Sequence, residues 1–347
     1  MFERLLTSSF PRLCLVTALC LATQIASARL AAPSAPRPFA FAPAIYMRTG
    51  ADLSSWARAT GQSYALMAFY NAAEGRCAGT WPDDEAAVLA QARALRSLGG
   101  DVILSTGGWN ADDLAARCAD PASLADVYDA LLQRFGADHL DLDPEAGDIH
   151  NNLLHDIVDR RSAAMRILQD RFRARGKILH LSVAVAVKPA FGMDADNLYV
   201  LQSAKAAGVR IEMIDAMVMD YRDGQSEGKM GPRSIQTLEM VHAQLKTLFP
   251  GHDDAALWGM MGALPDLGQN DAEPEIFTLD DARQLESFAE ARGLGRLSFW
   301  SVGRDNGDCP GKLVSDPTCS GIVQAQWAFS RILGTFARAH DKARAPR

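Results

Sequence analysis

The densest run of ionisable side chains is Asp138-His139-Leu140-Asp141-Leu142-Asp143-Pro144-Glu145. If this run is a strand, alternation places Asp141, Asp143 and Glu145 on one face and the apolar side chains on the other. Carboxylates that share a face repel one another, so at least one must hold a proton at neutral pH. A carboxyl group that stays protonated can serve as a general acid. A divalent-cation site and a solvated acidic edge are the alternatives.

These carboxylates need a scaffold that holds them at the end of a strand. Eight short apolar runs alternate with longer segments in which apolar residues recur every three or four positions. Such alternation predicts a parallel sheet with right-handed crossovers, and eight units fit a (β/α)8 TIM barrel of the α/β class. A doubly wound open sheet is the competitor, but no Gly-x-Gly-x-x-Gly follows any run. The predicted strands are Phe41–Met47, Tyr64–Tyr70, Asp101–Thr106, His139–Asp143, Ile178–Val187, Ile214–Asp220, Ala256–Met261 and Leu297–Val302, and the predicted helices include Asp84–Leu98, Ser123–Phe135, Leu153–Arg175 and Asp280–Arg292.

Composition narrows the function classes. The chain has 347 residues, of which 48% are hydrophobic and 22% charged, and its net charge is −7. A largely disordered chain is excluded, because apolar content is high and net charge is modest. Lys and Arg total 35 against 42 Asp and Glu, and no basic run stands out, so no nucleic-acid partner is expected. No cofactor and no resident metal is expected either.

The amino terminus is typical of an export signal. Arg4 and Arg12 precede the apolar stretch 13–22, and Ala26-Ser27-Ala28 supplies the small residues that a signal peptidase reads. An uncleaved anchor is the alternative, although the stretch is shorter than the ~20 apolar residues of a spanning helix. The mature protein is therefore expected to be secreted or periplasmic, with no membrane segment. The predicted divisions are a signal peptide over 1–28, a flexible lead-in over 29–39 and a single barrel domain over 40–347.

Four cysteines remain once the signal is removed. An even number in an exported chain indicates two disulfides. Cys309 and Cys319 lie in one loop rich in Gly, Pro and Asp, so we expect them to form a disulfide with each other. Cys77 is then expected to form the second disulfide with Cys118. The sequence allows three pairings, and free buried thiols are the alternative.

The acidic run resembles the Asp-x-x-Asp-x-Asp-x-Glu signature of glycoside hydrolase family 18, the chitinase family. Three more segments match elements of that family, each at the end of a predicted strand: Ser105-Thr106-Gly107-Gly108, Met217-Val218-Met219-Asp220-Tyr221 and Phe299-Trp300. The resemblance covers nearly the whole mature chain and is closest to secreted bacterial chitinases with one catalytic domain. It implies a (β/α)8 barrel that cleaves β-1,4 bonds next to N-acetylglucosamine with retention, using the substrate's acetamide as the nucleophile.

The resemblance also implies roles for the three carboxylates. Glu145 would protonate the leaving glycosidic oxygen and later activate water. Asp143 would hydrogen-bond the acetamide N–H, and Asp141 would share a proton with Asp143. The other implied residues fall into two groups. Substrate contacts are expected from Asp220, Tyr221, Met219, Trp300 and Tyr46, and structural support is expected from Asp138, Ser105, Gly107 and Gly108.

Two positions depart from the family pattern. Met219 stands where many members have a tyrosine that donates to the acetamide carbonyl, and Tyr221 follows on the opposite face of a regular strand. The hydroxyl that serves the acetamide is therefore open. His139 replaces the usual glycine of the signature, and we expect it to fill the barrel floor, with a bond to Asp141 as the alternative.

The sequence thus favours a chitinase-like glycosidase that acts on chitin or another N-acetylglucosamine polymer, and we expect it to be a monomer. One alternative is a catalytically silent barrel that binds such polymers like a lectin. The intact Glu145 argues against that alternative, whereas Met219 leaves it open. Another alternative is a hydrolase of peptidoglycan or of the N-glycan core, which the sequence does not distinguish from a chitinase.

Overall fold

The structure, a computed structural model, describes residues 39–48, 50 and 52–337. The predicted signal peptide and most of the predicted lead-in lie outside these residues. Phe39 was assigned to the flexible lead-in, but its side chain is buried and packs on the rings of Tyr64 and His139. The expected boundary between lead-in and barrel is therefore too late in the chain.

The strands are short and mostly buried, because helices cover the outside of the sheet. In chain order they are β1 (Ala44–Tyr46), β2 (Tyr64–Ala68), β3 (Asn71–Ala72), β4 (Gly79–Thr80), β5 (Asp101–Gly107), β6 (His139–Asp143), β7 (His180–Ala186), β8 (Met213–Met217), β9 (Met261–Leu264), β10 (Gly268–Gln269), β11 (Ile276–Phe277) and β12 (Arg296–Leu297).

The helices alternate with these strands along the chain. They are α1 (Leu53–Thr60), α2 (Glu85–Ser97), α3 (Leu114–Arg117), α4 (Pro121–Phe135), α5 (His155–Ala174), α6 (Ala195–Ala206), α7 (Met230–Leu248), α8 (Asp254–Gly259), α9 (Leu279–Arg292) and α10 (Ala328–Leu333), with a 3-10 turn at Val302–Arg304.

Eight of the described strands form one parallel sheet in the order β1-β2-β5-β6-β7-β8-β9-β12. The sheet closes on itself, because the N–H of Leu297 donates to the carbonyl of Ala40 at 2.8 Å and the N–H of Ala44 donates to the carbonyl of Phe299 at 2.9 Å. A closed parallel sheet with helices outside it is a (β/α)8 barrel, so the predicted fold is confirmed.

Local sequence explains where the helices begin and end. The Asp84 side chain accepts a hydrogen bond from the N–H of Ala87 at the start of α2, and Asp120 accepts from Ala122 and Ser123 at the start of α4. Helix α4 ends at Gly136, whose φ of 59° is a conformation that glycine adopts without steric penalty. Such caps fix the helix lengths, and with them the spacing of the strands.

One predicted strand is wrong. The run Ala256–Met261 was expected to be the seventh barrel strand, but most of it lies in α8, and the strand is β9. Asp253 caps the helix by accepting from the N–H of Ala256, which turns a short apolar run into a helix. Of the other predicted strands, His139–Asp143 coincides with β6 and Asp101–Thr106 stops one residue short of the end of β5. The remaining predicted strands overlap the observed ones but extend beyond them at one end or both.

Two disulfides are present. Cys77 is bonded to Cys118 and Cys309 to Cys319, which are the pairs that the sequence favoured. The first bond joins the loop between β3 and β4 to the end of α3. Within the described part of the chain, no helix is both long and apolar enough to cross a bilayer.

Candidate active site

A cleft of about 860 Å³ opens at the carboxyl ends of the barrel strands. This is the end at which barrel enzymes carry their catalytic groups. The structure brings most of the residues singled out in the sequence to this cleft. The lining includes Asp141, Asp143, Glu145, Gly107, Met219, Asp220, Trp300 and Tyr46.

Asp141 lies on β6 and is buried below the cleft. Its two carboxylate oxygens accept hydrogen bonds from Ser105 Oγ on β5 at 2.7 Å and from Ser182 Oγ on β7 at 2.5 Å. Both serines are in register with Asp141, so all three side chains share the interior face. Burial raises the pKa of Asp141, and the two hydroxyl donors oppose that rise. Sequence reasoning missed Ser182, although a serine between the apolar residues Leu181 and Val183 of β7 was a signal for it.

Asp143 lies two residues after Asp141, at the carboxyl end of β6, and is also buried. Its Oδ1 receives no hydrogen bond from any described residue. Burial raises its pKa well above the usual range, and the neighbouring charges of Glu145 and Asp141 raise it further. The surroundings of Asp143 therefore favour its protonated form, whereas Asp141 has two donors that favour its ionised form.

Glu145 follows β6 and reaches the cleft as a half-buried side chain. Burial raises its pKa to about 7, and the charges of Asp220 and Asp271 contribute in the same direction. A carboxyl group with this pKa is protonated in a large fraction of molecules near neutral pH. It can therefore give a proton to a leaving group and take one from water afterwards.

Two glycines at the carboxyl end of β5 let the backbone approach these carboxylates. Gly107 has a φ of 113°, and a Cβ at this position would lie 2.0 Å from the carbonyl oxygen of Asp143. The N–H of Gly108 donates to that same oxygen at 2.8 Å, and a Cβ on Gly108 would lie 2.7 Å from the ring of Phe69. Larger residues would displace β6 or the aromatic floor.

Aromatic side chains form the floor of the cleft. The indole of Trp300 stacks on Phe69 with ring centroids 5.5 Å apart, and Tyr46 lies beside it at 5.7 Å. Trp300 follows the last barrel strand, as the sequence predicted, and Tyr46 ends the first. A flat apolar surface of this kind packs well against the C–H face of a sugar ring.

Tyr221 does not line the cleft, so the expectation that it contacts substrate is wrong. Its side chain is buried against α7, where its hydroxyl lies 3.3 Å from Thr237 Oγ1 and 3.5 Å from Ser234 Oγ. Strand β8 ends at Met217, and Asp220 has a positive φ of 47°. Because the backbone turns there, Asp220 faces the cleft and Tyr221 faces the helix.

Asp138 does not support the carboxylate cluster as expected. It is exposed at the amino end of β6, opposite the cleft, and its carboxylate lies 2.7 Å from Nδ1 of His139. The ring of His139 lies between Phe39, tilted at a centroid distance of 4.1 Å, and His180, on which it stacks at 4.4 Å. The prediction that His139 fills the barrel floor is therefore confirmed.

The cleft also contains charged residues that sequence reasoning did not select. Asp266 and Asp271 lie on the side of β9 and β10, and Lys188 follows β7. Lys188 Nζ donates to the backbone carbonyl of Asp220 at 2.6 Å, so it fixes the turn that presents Asp220. The position of Lys188 directly after an apolar strand was the signal available in the sequence.

Comparison with known proteins assigns the chain to a family. It is 30% identical to the catalytic domain of a hyperthermophilic chitinase from Pyrococcus furiosus, covers 98% of that chain with 89% of its own, and superposes with a TM-score of 0.78. The chain belongs to glycoside hydrolase family 18. The resemblance stated from the sequence motifs is therefore confirmed, although no family model matches the chain.

Other relatives of this family 18 chain are longer. It is 31% identical over 307 residues to a probable bifunctional chitinase/lysozyme of Escherichia coli strain K12, and 31% identical over 268 residues to endochitinase 11 of Metarhizium anisopliae. These alignments cover 84% and 75% of this chain but only 33% and 51% of the relatives, so the chain spans a third to a half of their length. A family GH18 chitinase catalytic domain from a fern has the same fold at 14% identity, with a TM-score of 0.56.

Proposed function

We propose that this protein is a chitinase-like glycoside hydrolase that cleaves β-1,4 bonds between N-acetylglucosamine units with retention. The observation that carries the proposal is Glu145, a carboxyl whose pKa burial raises to about 7 and that reaches the same cleft as Trp300 and the buried Asp143. The names of the related proteins, which are chitinases, support the same substrate class.

In the proposed mechanism the substrate supplies the nucleophile. Family 18 is an exception to the rule of two catalytic carboxylates, because the acetamide of the bound sugar attacks its own anomeric carbon. Glu145 gives its proton to the glycosidic oxygen as that bond breaks, which leaves a cyclic oxazolinium ion. Glu145 then takes a proton from water, and the resulting hydroxide attacks the anomeric carbon and reopens the ring. General acid–base assistance of this kind is worth about 10²–10⁴ in rate.

The other cleft residues hold the substrate for that attack. We assign Asp143 to the acetamide N–H, which orients the carbonyl oxygen towards the anomeric carbon, and Asp141 to sharing the proton of Asp143 during the cycle. Trp300 supports the apolar face of the sugar. Asp220 and Met219 line the cleft after β8. Tyr46, at the end of β1, is the one tyrosine among the described residues that lines the cleft.

We also propose that the protein acts outside the cytoplasm after cleavage of residues 1–28. The two disulfides support this location, because such bonds persist in oxidising compartments. A single chain is the proposed working unit, since the strands of one chain close the barrel.

The test is hydrolysis of chito-oligosaccharides by the mature protein, compared with Glu145→Gln and with the control Glu290→Gln, which alters an exposed carboxylate on α9. We expect the wild type and the control to release sugars and Glu145→Gln to lose at least about 100-fold in rate. Release of no sugar by the wild type, or equal rates for Glu145→Gln, would contradict the proposal. Turnover of a substrate that is deacetylated at the cleavage position would rule out the acetamide as nucleophile.

A polymer-binding barrel without activity is the second candidate, and one observation favours it. Met219 and Tyr221 leave the end of β8 without a hydroxyl directed at the cleft. Binding of chito-oligosaccharides by the wild type without turnover would establish this candidate. Peptidoglycan belongs in the same assay, because one relative is named a chitinase/lysozyme, and preferential release of fragments from it would change the proposed substrate but not the catalytic groups.

A further inference from the structure

A buried ion pair lies inside the barrel below the catalytic carboxylates. Nη1 of Arg296 on β12 donates to Oδ2 of Asp215 on β8 at 2.7 Å, and the two side chains are only 7% and 1% exposed. The strand between them carries Gly262, where a Cβ would lie 1.9 Å from Oδ1 of Asp215. The fold thus keeps a space in its core for two charges.

Stability alone is a weak reason for such a pair. Removing two charges from water is expensive, and replacing a buried ion pair by apolar residues is often neutral or stabilising. The pair is also incompletely satisfied, since Oδ1 of Asp215 accepts no hydrogen bond within the described structure. Arg296 makes one further contact, from Nε to the carbonyl of Phe39 at 3.3 Å.

The strand register places this pair on the same interior face as the catalytic carboxylates. Asp141 is in register with Ser182 on β7, and Ala184, two residues further along β7, is in register with Asp215. Residues two apart on a strand share a face, so Asp141 and Asp215 both point into the barrel. The two charges of the pair act in opposite directions on the pKa values of Asp141 and Asp143. Arg296 lowers the pKa of Asp141, and Asp215 raises the pKa of Asp143.

We propose that Asp215 and Arg296 are a positioning pair that decides where the proton shared by Asp141 and Asp143 rests. Arg296 and the two serine hydroxyls favour the ionised form of Asp141 against the effect of burial, and Asp215 favours the proton on Asp143, next to the substrate. This inference rests on the proposed function, in which Asp143 and Asp141 share that proton. It adds two residues that act through other groups and do not touch the sugar.

The charged and titratable groups around the two carboxyls come from several elements. Asp143 and Glu145 follow Asp141 along the chain, Asp215 faces them from β8, Arg296 from β12, and Asp113 from the segment before α3. Asp113 is itself paired with Arg161 at 2.8 Å in a second buried ion pair, so its charge is compensated. Arg296 is accordingly the cation that acts on Asp141 from inside the barrel.

Two single substitutions test the proposal by the sign of their effect. Burial raises the pKa of Asp215 itself to about 6, so its full negative charge is present only above that pH. Asp215→Asn removes that charge, so it should favour ionisation of the cluster and move the acid limb of the kcat/KM pH profile to lower pH. Arg296→Gln removes a positive charge and should move the same limb to higher pH. We expect each shift to be roughly half to one pH unit, less than the one to three units caused by a charge in direct contact.

The controls separate charge from structure. The double variant Asp215→Asn/Arg296→Gln should return the limb towards its wild-type position, because both charges are gone. The outer pair Asp129 and Arg175, joined at 2.7 Å between α4 and the end of α5, provides matched substitutions. Asp129→Asn and Arg175→Gln should leave the limb in place even where they lower the melting temperature.

Shifts in the same direction, or no shift in either variant, would overturn the proposal. If Arg296→Gln does not fold, the near-isosteric Asp215→Asn decides alone, and an unmoved or raised limb refutes it. Titration of ¹³C-labelled aspartate carboxyl groups by NMR gives a readout that needs no turnover. If the wild type hydrolyses nothing, the proposed function fails, and the carboxyl titrations of wild type and Asp215→Asn still determine whether the pair controls the proton.

Discussion

The pKa of Glu145 makes a quantitative prediction about the alkaline limb of activity. Its pKa of about 7, against an ordinary value of 4.5, leaves about half of the molecules protonated at pH 7, whereas an unperturbed glutamate would be only about 0.3% protonated. The environment thus increases the population of the protonated form, the proposed general acid, by about 150-fold. Because kcat/KM reports ionisations of the free enzyme, we expect it to fall about tenfold per pH unit above pH 7.

Removing a neighbouring charge should move this limb in a known direction. Asp271 raises the pKa of Glu145, so Asp271→Asn should lower that pKa and bring the alkaline limb to lower pH. Burial is the largest cause of the raised pKa and Asp271 the smallest of the three, so we expect a shift of only a few tenths of a unit. The assay is kcat/KM for a chito-oligosaccharide between pH 5 and 9, at low and high salt. Asp126→Asn, on the exposed face of α4, is the control.

Salt provides an independent check on the same reasoning. High salt screens the exposed Asp271, so it should shift the wild-type limb in the same direction as the substitution and shift the Asp271→Asn limb less. A limb that stays in place in Asp271→Asn, or that moves to higher pH, would refute the electrostatic account of Glu145. A wild-type limb below pH 5.5 would show that Glu145 is not the group that must be protonated.

Three further substitutions test how the cleft and the fold are held. Gly107→Ala should lower kcat/KM by at least about 100-fold, because its Cβ would collide with β6, whereas Gly136→Ala, also at positive φ but in open space, should lose only about 1 kcal/mol of stability and keep its activity. Trp300→Ala should raise KM for chito-oligosaccharides about tenfold, and unchanged KM would remove it from the sugar floor. Replacing both Cys77 and Cys118 by alanine should lower the free energy of unfolding in urea by about 4 kcal/mol, since the bond closes a 41-residue loop.

The fold could be predicted from the sequence because each strand–helix unit carries its own local signals. Apolar runs mark the strands, and aspartates such as Asp84 and Asp120 mark the helix starts. The failure at Ala256–Met261 has the same origin. An apolar run of six residues fits a strand or one buried helical turn equally well, and the Asp253 cap decides for the helix.

Residues of the candidate site could be predicted where they belong to a recognisable sequence motif. Residues that only the tertiary structure brings to the site were missed. Ser182 and Ser105 reach Asp141 from strands 41 and 36 residues away, and only Ser105 belongs to a recognisable motif. The pair of Asp215 and Arg296 is separated by 81 residues, so no local pattern relates the two. Register between strands, which the sequence does not reveal, creates these contacts.

Alternation along a strand explains both the success and the failure of the sequence argument at the cleft. It holds through β6, so Asp141 and Asp143 share the interior face as predicted, and the charge of Asp141 raises the pKa of Asp143. The alternation ends with β8 at Met217. Beyond that residue the backbone turns at Asp220, so Asp220 faces the cleft and Tyr221 packs against α7. The alternation rule also could not say which carboxyl keeps the proton. That choice depends on donors and charges from other strands, which favour the anion at Asp141 and leave Asp143 with the neutral form.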